Sequence, residues 1–175
     1  MTQITSKVCV IGDFAVGKTS TVERFVNNHF SDSYLTTIGV KVDTAEVQLE
    51  NGLELKLVLW DIAGTTKFEH VEMAYLRGMS GYILVADGTR PATLKAALEL
   101  KSQIESVHGE LPFVFLLNKS DLQHAWEVSE KQTQSLVDDG CTDLFVTSAK
   151  TGDQVGRAIT RLAELVSDRE LSRPK

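Results

Sequence analysis

A chain of 175 residues with 42% hydrophobic and 24% charged side chains has the make-up of one soluble domain with a substantial core, not of a disordered or fibrous protein. A formal net charge of −6 disfavours nucleic acid as the main partner, because a phosphate backbone demands a basic face, and leaves no polybasic stretch for an acidic membrane. No segment approaches a membrane span, and neither Met1-Thr2 nor the tail Leu171-Ser172-Arg173-Pro174-Lys175 offers a lipidation site, so the expectation is a cytoplasmic protein with no direct membrane anchor in this chain.

The first apolar run, Val8-Cys9-Val10-Ile11, reads as a buried strand. It leads into Gly12-Asp13-Phe14-Ala15-Val16-Gly17-Lys18-Thr19, and then into a helix over Ser20-Thr21-Val22-Glu23-Arg24-Phe25-Val26. Strand, G-x(4)-G-K-[ST], helix is the pattern of a phosphate-binding loop. Gly12 and Gly17 allow backbone geometry that other residues resist, so successive N–H groups turn toward phosphate oxygens. The helix adds the positive end of its dipole, Lys18 a mobile point charge for the β- and γ-phosphates, and the Thr19 hydroxyl a ligand for Mg²⁺.

A polar stretch follows from Asn27 to Thr37, with the aromatic pair Phe30 and Tyr34, and suits a mobile loop. Residues 40–49 alternate as a strand should. Asn51-Gly52 predicts a two-residue hairpin turn, and Leu53, Leu55, Leu57 and Leu59 line one face of the returning strand. That hairpin is the one clear antiparallel pairing.

Beyond it the pattern alternates. Residues 81–86 and 112–117 are continuous apolar runs, as buried strands are, and 144–147 is a last short strand. Pro91 opens a helix to about Val107, Ser129 with Gln132 forms a capping box for a helix to about Val137, and a final helix runs from Gln154 to about Arg169. Apolar strands interleaved with amphipathic helices predict an α/β fold with a mostly parallel sheet covered on both faces, and residues 1–175 as one domain. Cys9 falls in a strand and Cys141 beside a turn, without a disulfide or metal-site pattern; His29, His70, His108 and His124 are scattered.

Ligands of such sheets bind at the carboxyl ends of the strands, and the unusual polar motifs all fall there. The strand ending at Trp60 continues Asp61-Ile62-Ala63-Gly64: an acid able to hold Mg²⁺, then a glycine able to offer its N–H to a γ-phosphate. The strand ending at Leu117 continues Asn118-Lys119-Ser120-Asp121. A carboxylate at Asp121 accepts from guanine N1 and N2 and rejects adenine, which leaves it unsatisfied. Asn118 braces the loop, and the Lys119 stem covers a ring face. Ser148-Ala149-Lys150, after the last strand, places a backbone N–H toward the guanine O6. Each motif alone is also what an ordinary strand-end turn looks like; their order and spacing together are not.

In that order and spacing the chain resembles the small GTPases of the Ras superfamily over nearly its whole length, most closely the Rab branch. The Rab-like words are Thr36-Thr37-Ile38-Gly39-Val40, Trp60-Asp61-Ile62-Ala63-Gly64 and Tyr75-Leu76-Arg77-Gly78. The resemblance implies a Ras-like fold of six strands, one of them an antiparallel edge, and five helices. It implies a molecular switch that binds GTP or GDP with Mg²⁺ and hydrolyses GTP. Thr37 becomes the second Mg²⁺ hydroxyl ligand beside Thr19 and Asp61. Phe30 packs edge-on against the guanine, and Tyr34 closes over the phosphates. Loops around Thr37 and from Gly64 to about Tyr75 become switches I and II, where effectors, exchange factors and activators dock on a monomer.

Two departures bear on catalysis. The family's water-orienting Gln after Asp61-Ile62-Ala63-Gly64 is replaced by the shorter Thr65, and the usually small third position of the phosphate loop is Phe14, which would crowd an arginine finger. The expectation is slow hydrolysis with Lys18, Thr37, Gly64 and Thr65 as the catalytic set; the alternative is a nucleotide-locked binding module with negligible hydrolysis. A third departure, Val42 in place of an aromatic beside Trp60 and Tyr75, keeps the family's partners from being carried over. A phosphate-loop kinase or ATPase is disfavoured by Asn118-Lys119-x-Asp121.

Overall fold

The computed structural model describes residues 3–33 and 36–174. Its centre is β1 (Gln3–Gly12), whose apolar half faces two ways. Val8 and Val10 enter one core, beneath α1 (Lys18–Asn27) and α5 (Val155–Ser172). Cys9 and Ile11 enter the other, beneath α3 (Ala92–His108) and α4 (Glu130–Asp138). All four are essentially inaccessible to water, as expected of a strand covered on both faces.

The six strands lie in the order β2 (Val40–Gln48), β3 (Glu54–Ile62), β1, β4 (Gly81–Asp87), β5 (Phe113–Asn118), β6 (Leu144–Val146). Every neighbouring pair is parallel except β2 with β3, so the sheet has the predicted single antiparallel edge. The winding reverses at β1, which sits between β3 and β4. In a parallel sheet that reversal opens a crevice at the strands' carboxyl ends, and the phosphate loop lies in it.

Local chemistry explains most boundaries. Pro91 immediately precedes α3, and the Ser129 hydroxyl accepts from Gln132 N–H at 3.1 Å while the Gln132 side chain accepts from Ser129 N–H at 2.9 Å, the capping box that opens α4. Among the described residues no helix is long and apolar enough to cross a membrane.

Some local expectations give way. The hairpin has a three-residue loop, Glu50-Asn51-Gly52, not a two-residue turn. Leu49 N–H donates to the Leu53 carbonyl and Gly52 N–H to the Leu49 carbonyl, and only Gly52 takes a positive φ, +82°. A two-residue type I′ turn needs both central residues there; Asn51 instead accepts from Leu53 N–H through its side chain at 3.0 Å. Cys141 does lie beside a turn, at 139–140, and is fully buried in the α3/α4 core. The short α2 (His70–Tyr75) buries no residue of its own and is held at its start by Glu69 and Glu72 in a reciprocal cap.

Candidate functional site

The residues between β1 and α1 form a loop in which each carbonyl oxygen accepts from a donor, most of them outside the loop. Gly12 O accepts from Thr65 N–H (3.1 Å), Asp13 O from Lys18 Nζ (2.9 Å) and Phe14 O from Arg90 Nη2 (2.6 Å). Ala15 O accepts from Lys119 Nζ (2.8 Å), Val16 O from Asn118 Nδ2 (3.0 Å), and Gly17 O from both the N–H and hydroxyl of Thr21. A peptide plane with its C=O pinned outward has its N–H directed the other way, which makes a concave nest for an anion. Ala15 (φ +55°) and Gly17 (φ +101°) supply the left-handed steps. One amide is diverted: Phe14 N–H donates to Asp13 Oδ1 at 2.6 Å.

The two glycines are required for different reasons. A Cβ on Gly17 would stand 2.2 Å from Asn118 Nδ2 at a φ that L residues resist. On Gly12 the obstacle is space rather than φ, since a Cβ would lie 2.3 Å from the Val85 carbonyl on β4.

Lys18 is only 5% exposed. Burial lowers its pKa to about 8, partly offset by the charges of Asp61 and Asp13, and the nearby Arg90 guanidinium lowers it further. An anion in the nest would restore its full protonation. Beside it, Thr19 Oγ1 lies 2.5 Å from Asp61 Oδ2 and 2.7 Å from Thr37 Oγ1, so the three oxygens expected to hold Mg²⁺ meet at one point. Asp61 is fully buried, and among the described residues its Oδ1 has no hydrogen-bond partner. Burial holds its carboxyl above the ordinary range, against the Thr19 hydrogen bond and the Lys18 charge. A hard oxygen cluster with an unsatisfied buried carboxylate oxygen fits a small divalent cation.

On the other side of the loop lies a cavity of about 330 Å³ lined by Ala15, Gly17, Ser20, Phe30, Asn118, Lys119, Asp121, Ala149 and Lys150, among others. That volume is in the range of small-molecule pockets, about 300–1,000 Å³. Asn118 is 2% exposed and spans the pocket floor: its amide nitrogen is on Val16, and its oxygen accepts from Thr147 Oγ1 and Ala149 N–H. The Ala149 amide is therefore taken by Asn118 in this structure. Asp121 accepts from the Ser148 hydroxyl at 2.8 Å, which orients its carboxylate. Tyr34 lies outside the described residues.

The remaining site residues are at the open rim. Gly64 packs so closely on the phosphate loop that a Cβ would stand 2.7 Å from the Phe14 Cα. The Thr65 hydroxyl turns back on its own chain, donating to the Lys67 carbonyl at 2.6 Å and accepting from Lys67 N–H. Phe14 is 51% exposed, so its ring stands at the mouth and not in the floor. Ile38, Val42 and Val71 are exposed along this side, and Trp60 and Tyr75 are in tilted contact with centroids 6.4 Å apart. Val42 pairs opposite Trp60 in the β2–β3 register.

Three supporting residues were not anticipated from the sequence. Arg24 on α1 donates through Nε to the Ala149 carbonyl at 2.9 Å and through Nη2 to that of Lys150. Asp87, 1% exposed at the end of β4, receives Lys119 Nζ at 2.9 Å and Arg90 Nε at 3.0 Å on one oxygen, and the Thr89 hydroxyl and N–H on the other. Burial alone would raise its pKa, but these donors outweigh it and hold the carboxyl below the ordinary range. An acid closing an apolar strand is the same signal that marks Asp61, and it was there to be read. Arg24 and Arg90 carry no local signal.

A sequence model of the Ras family matches residues 7–168. Among curated relatives, the Ras-related protein SEC4 of Saccharomyces cerevisiae is 34% identical over 166 residues, covering 93% of this chain and 75% of its own. The Ras-related protein Rab-13 of Rattus norvegicus is 34% identical over 158 residues, 90% and 77% of the two chains. The Ypt/Rab-type GTPase YPT7 of Saccharomyces cerevisiae is 34% identical over 165 residues, 90% and 79%.

Proposed function

The chain belongs to the Ras family and is a Rab-like small GTPase, and on that premise we propose that it is a guanine-nucleotide switch whose own hydrolysis of GTP is slow. The observation that carries the nucleotide reading is the convergence, on one loop, of an amide nest, a buried lysine, a three-oxygen cluster and a cavity floored by Asn118 and edged by Asp121. Thr19, Thr37 and Asp61 would hold Mg²⁺, which when bound supplies positive charge against the phosphates. Lys18 and the loop amides hold the β- and γ-phosphates, and Gly64 N–H donates to a γ-phosphate oxygen. Asp121 reads guanine, Asn118 and the Ser148-Ala149-Lys150 loop hold the pocket's shape, and Phe30 lines the base. The whole of residues 1–175 acts as one monomeric cytoplasmic domain. Partners meet it through the rim of Ile38, Val42, Trp60, Val71 and Tyr75.

Slow hydrolysis is supported by the Thr65 hydroxyl. Its hydrogen bonds to Lys67 lie within its own turn, so the hydroxyl's proton is spent on its own backbone and not on an attacking water. For Ras, a relative, intrinsic turnover is about 3–5 × 10⁻⁴ s⁻¹ and an activator's arginine adds about five decades. This chain should turn over more slowly than that, and Phe14 at the mouth should resist a conventional arginine finger. The same Thr65 observation favours the second reading, a nucleotide-locked module in which hydrolysis is negligible.

The test begins with the nucleotide content of purified protein by chromatography, followed by single-turnover phosphate release with Mg²⁺. GTP or GDP should be retained in preference to adenine nucleotides. Release should be slower than in Ras-like relatives and faster in Thr65→Gln. Preferential ATP binding would refute the nucleotide reading; release as fast as in those relatives would refute the slow switch, and release at zero would favour the locked module.

A further inference from the structure

The phosphate loop's carbonyls draw their donors from several parts of the chain, and one of these donors stands apart. Arg90 lies outside every nucleotide motif, yet its Nη2 donates to the Phe14 carbonyl at 2.6 Å, at the loop's most exposed residue. The same guanidinium is held by Nε on Asp87 Oδ2 at 3.0 Å. That oxygen also receives Lys119 Nζ at 2.9 Å, and Lys119 in turn donates to the Ala15 carbonyl. Two adjacent carbonyls of the loop are thus tied to one buried carboxylate.

The platform beneath Arg90 is rigid. Asp87 N–H donates to Thr93 Oγ1 at 2.9 Å, Arg90 N–H to the Asp87 carbonyl, and Thr93, itself 1% exposed, donates by both N–H and hydroxyl to the Arg90 carbonyl. The Gly88 carbonyl accepts from Glu127 and Val128 N–H, and Gly88 N–H donates to Asn118 O. A planar, forked cation on this base serves two acceptors through separate nitrogens at a set angle; a lysine there would have to reach both from one nitrogen, and would hold the pair less firmly.

We infer that Arg90 is a positioning residue for the phosphate loop: braced on Asp87, it holds the Phe14 carbonyl outward and couples the phosphate nest to Lys119 on the guanine side. The inference rests on the reading of this loop as the seat of a guanosine polyphosphate. Arg90 acts through the backbone of Phe14 and Ala15, so its effect is on how long the nucleotide stays and on how its phosphates are held. The base is read elsewhere, by Asp121.

The experiment uses the full chain loaded with Mg²⁺ and fluorescent N-methylanthraniloyl-GDP, comparing wild type with Arg90→Ala and Arg90→Lys. Arg90→Ala should release the nucleotide about tenfold faster, the loss of one charge-assisted hydrogen bond. Arg90→Lys should recover part of the difference. The phosphorus-31 resonance of the bound β-phosphate should move in Arg90→Ala, which general loosening of the fold would not cause, while the ratio of GDP to IDP affinity stays at the wild-type value. Release within twofold of wild type, or an unmoved phosphorus signal, would overturn the inference alone. Failure of the wild type to retain GDP would overturn the functional reading and the inference with it.

Discussion

The two sides of the phosphate loop are built on different terms. On the guanine side, Asp87, Asn118, Thr147 and Ser148 are all within 2% of complete burial, and the hydrogen bonds described above tie each to a neighbour. On the rim side, Ile38 is 91% exposed, Val71 59%, and α2 is six residues with none buried. Buried, mutually satisfied polar groups hold one arrangement by themselves. An exposed stretch with few apolar contacts opens at low cost and takes its shape from what it binds. The difference separates holding a ligand from reporting on it.

The sharpest way to break the guanine side is Asp121→Asn. It turns one acceptor into a donor, so guanine's N1 and N2 hydrogens lose their pair. GDP affinity should fall by about 10⁴-fold, and XDP, with a carbonyl at C2, should bind in its place; competition titration reads both. Next is Asp87→Ala, which leaves Lys119 and Arg90 without their shared anion. Because both cations keep some access to water, about 3 kcal/mol of stability should be lost, or roughly 6–12 °C in Tm. The folded-state pKa of Asp87 is depressed, so this contribution is full above the ordinary 3.8 and lost as pH falls through the lower folded value. The gap between wild type and Asp87→Ala in urea unfolding should therefore persist at pH 7 and begin to narrow only below about pH 3.8.

Hydrogen exchange sharpens the contrast without mutation: amides of β5 and of 147–149 should be among the slowest, and those of 36–39 and 64–75 among the fastest, slowing when GTP replaces GDP. The smallest effect belongs to a position on neither side. Gly52→Ala meets open space but must hold φ +82°, at about 1 kcal/mol, and nucleotide release should not change.

The sheet and the nucleotide motifs were legible because their signals are local. A Gly-x(4)-Gly-Lys-Thr run, an acid after a buried strand and Asn118-Lys119-x-Asp121 each lie within a few residues of sequence. What escaped depends on pairs far apart: Arg24 meets Ala149, and Arg90 meets Phe14, across 125 and 76 positions. The hairpin was missed by one residue because Asn51 used its side chain where its backbone conformation was expected to do the work. The short α2 lacks a buried stripe, so no periodicity announces it.

Gly88 has a practical consequence. A Cβ there would fall 2.1–2.5 Å from the ring of Trp126, so that indole rests directly on the backbone beside Asp87. The chain's other tryptophan, Trp60, lies under the Lys7 ammonium, 3.7 Å from its ring, and against Tyr75. Nature has thus placed one fluorophore on each bank of the crevice. Trp126→Phe would leave a lamp beside the exposed rim, and Trp60→Phe one beside the buried wall, each readable in a cuvette without any added label.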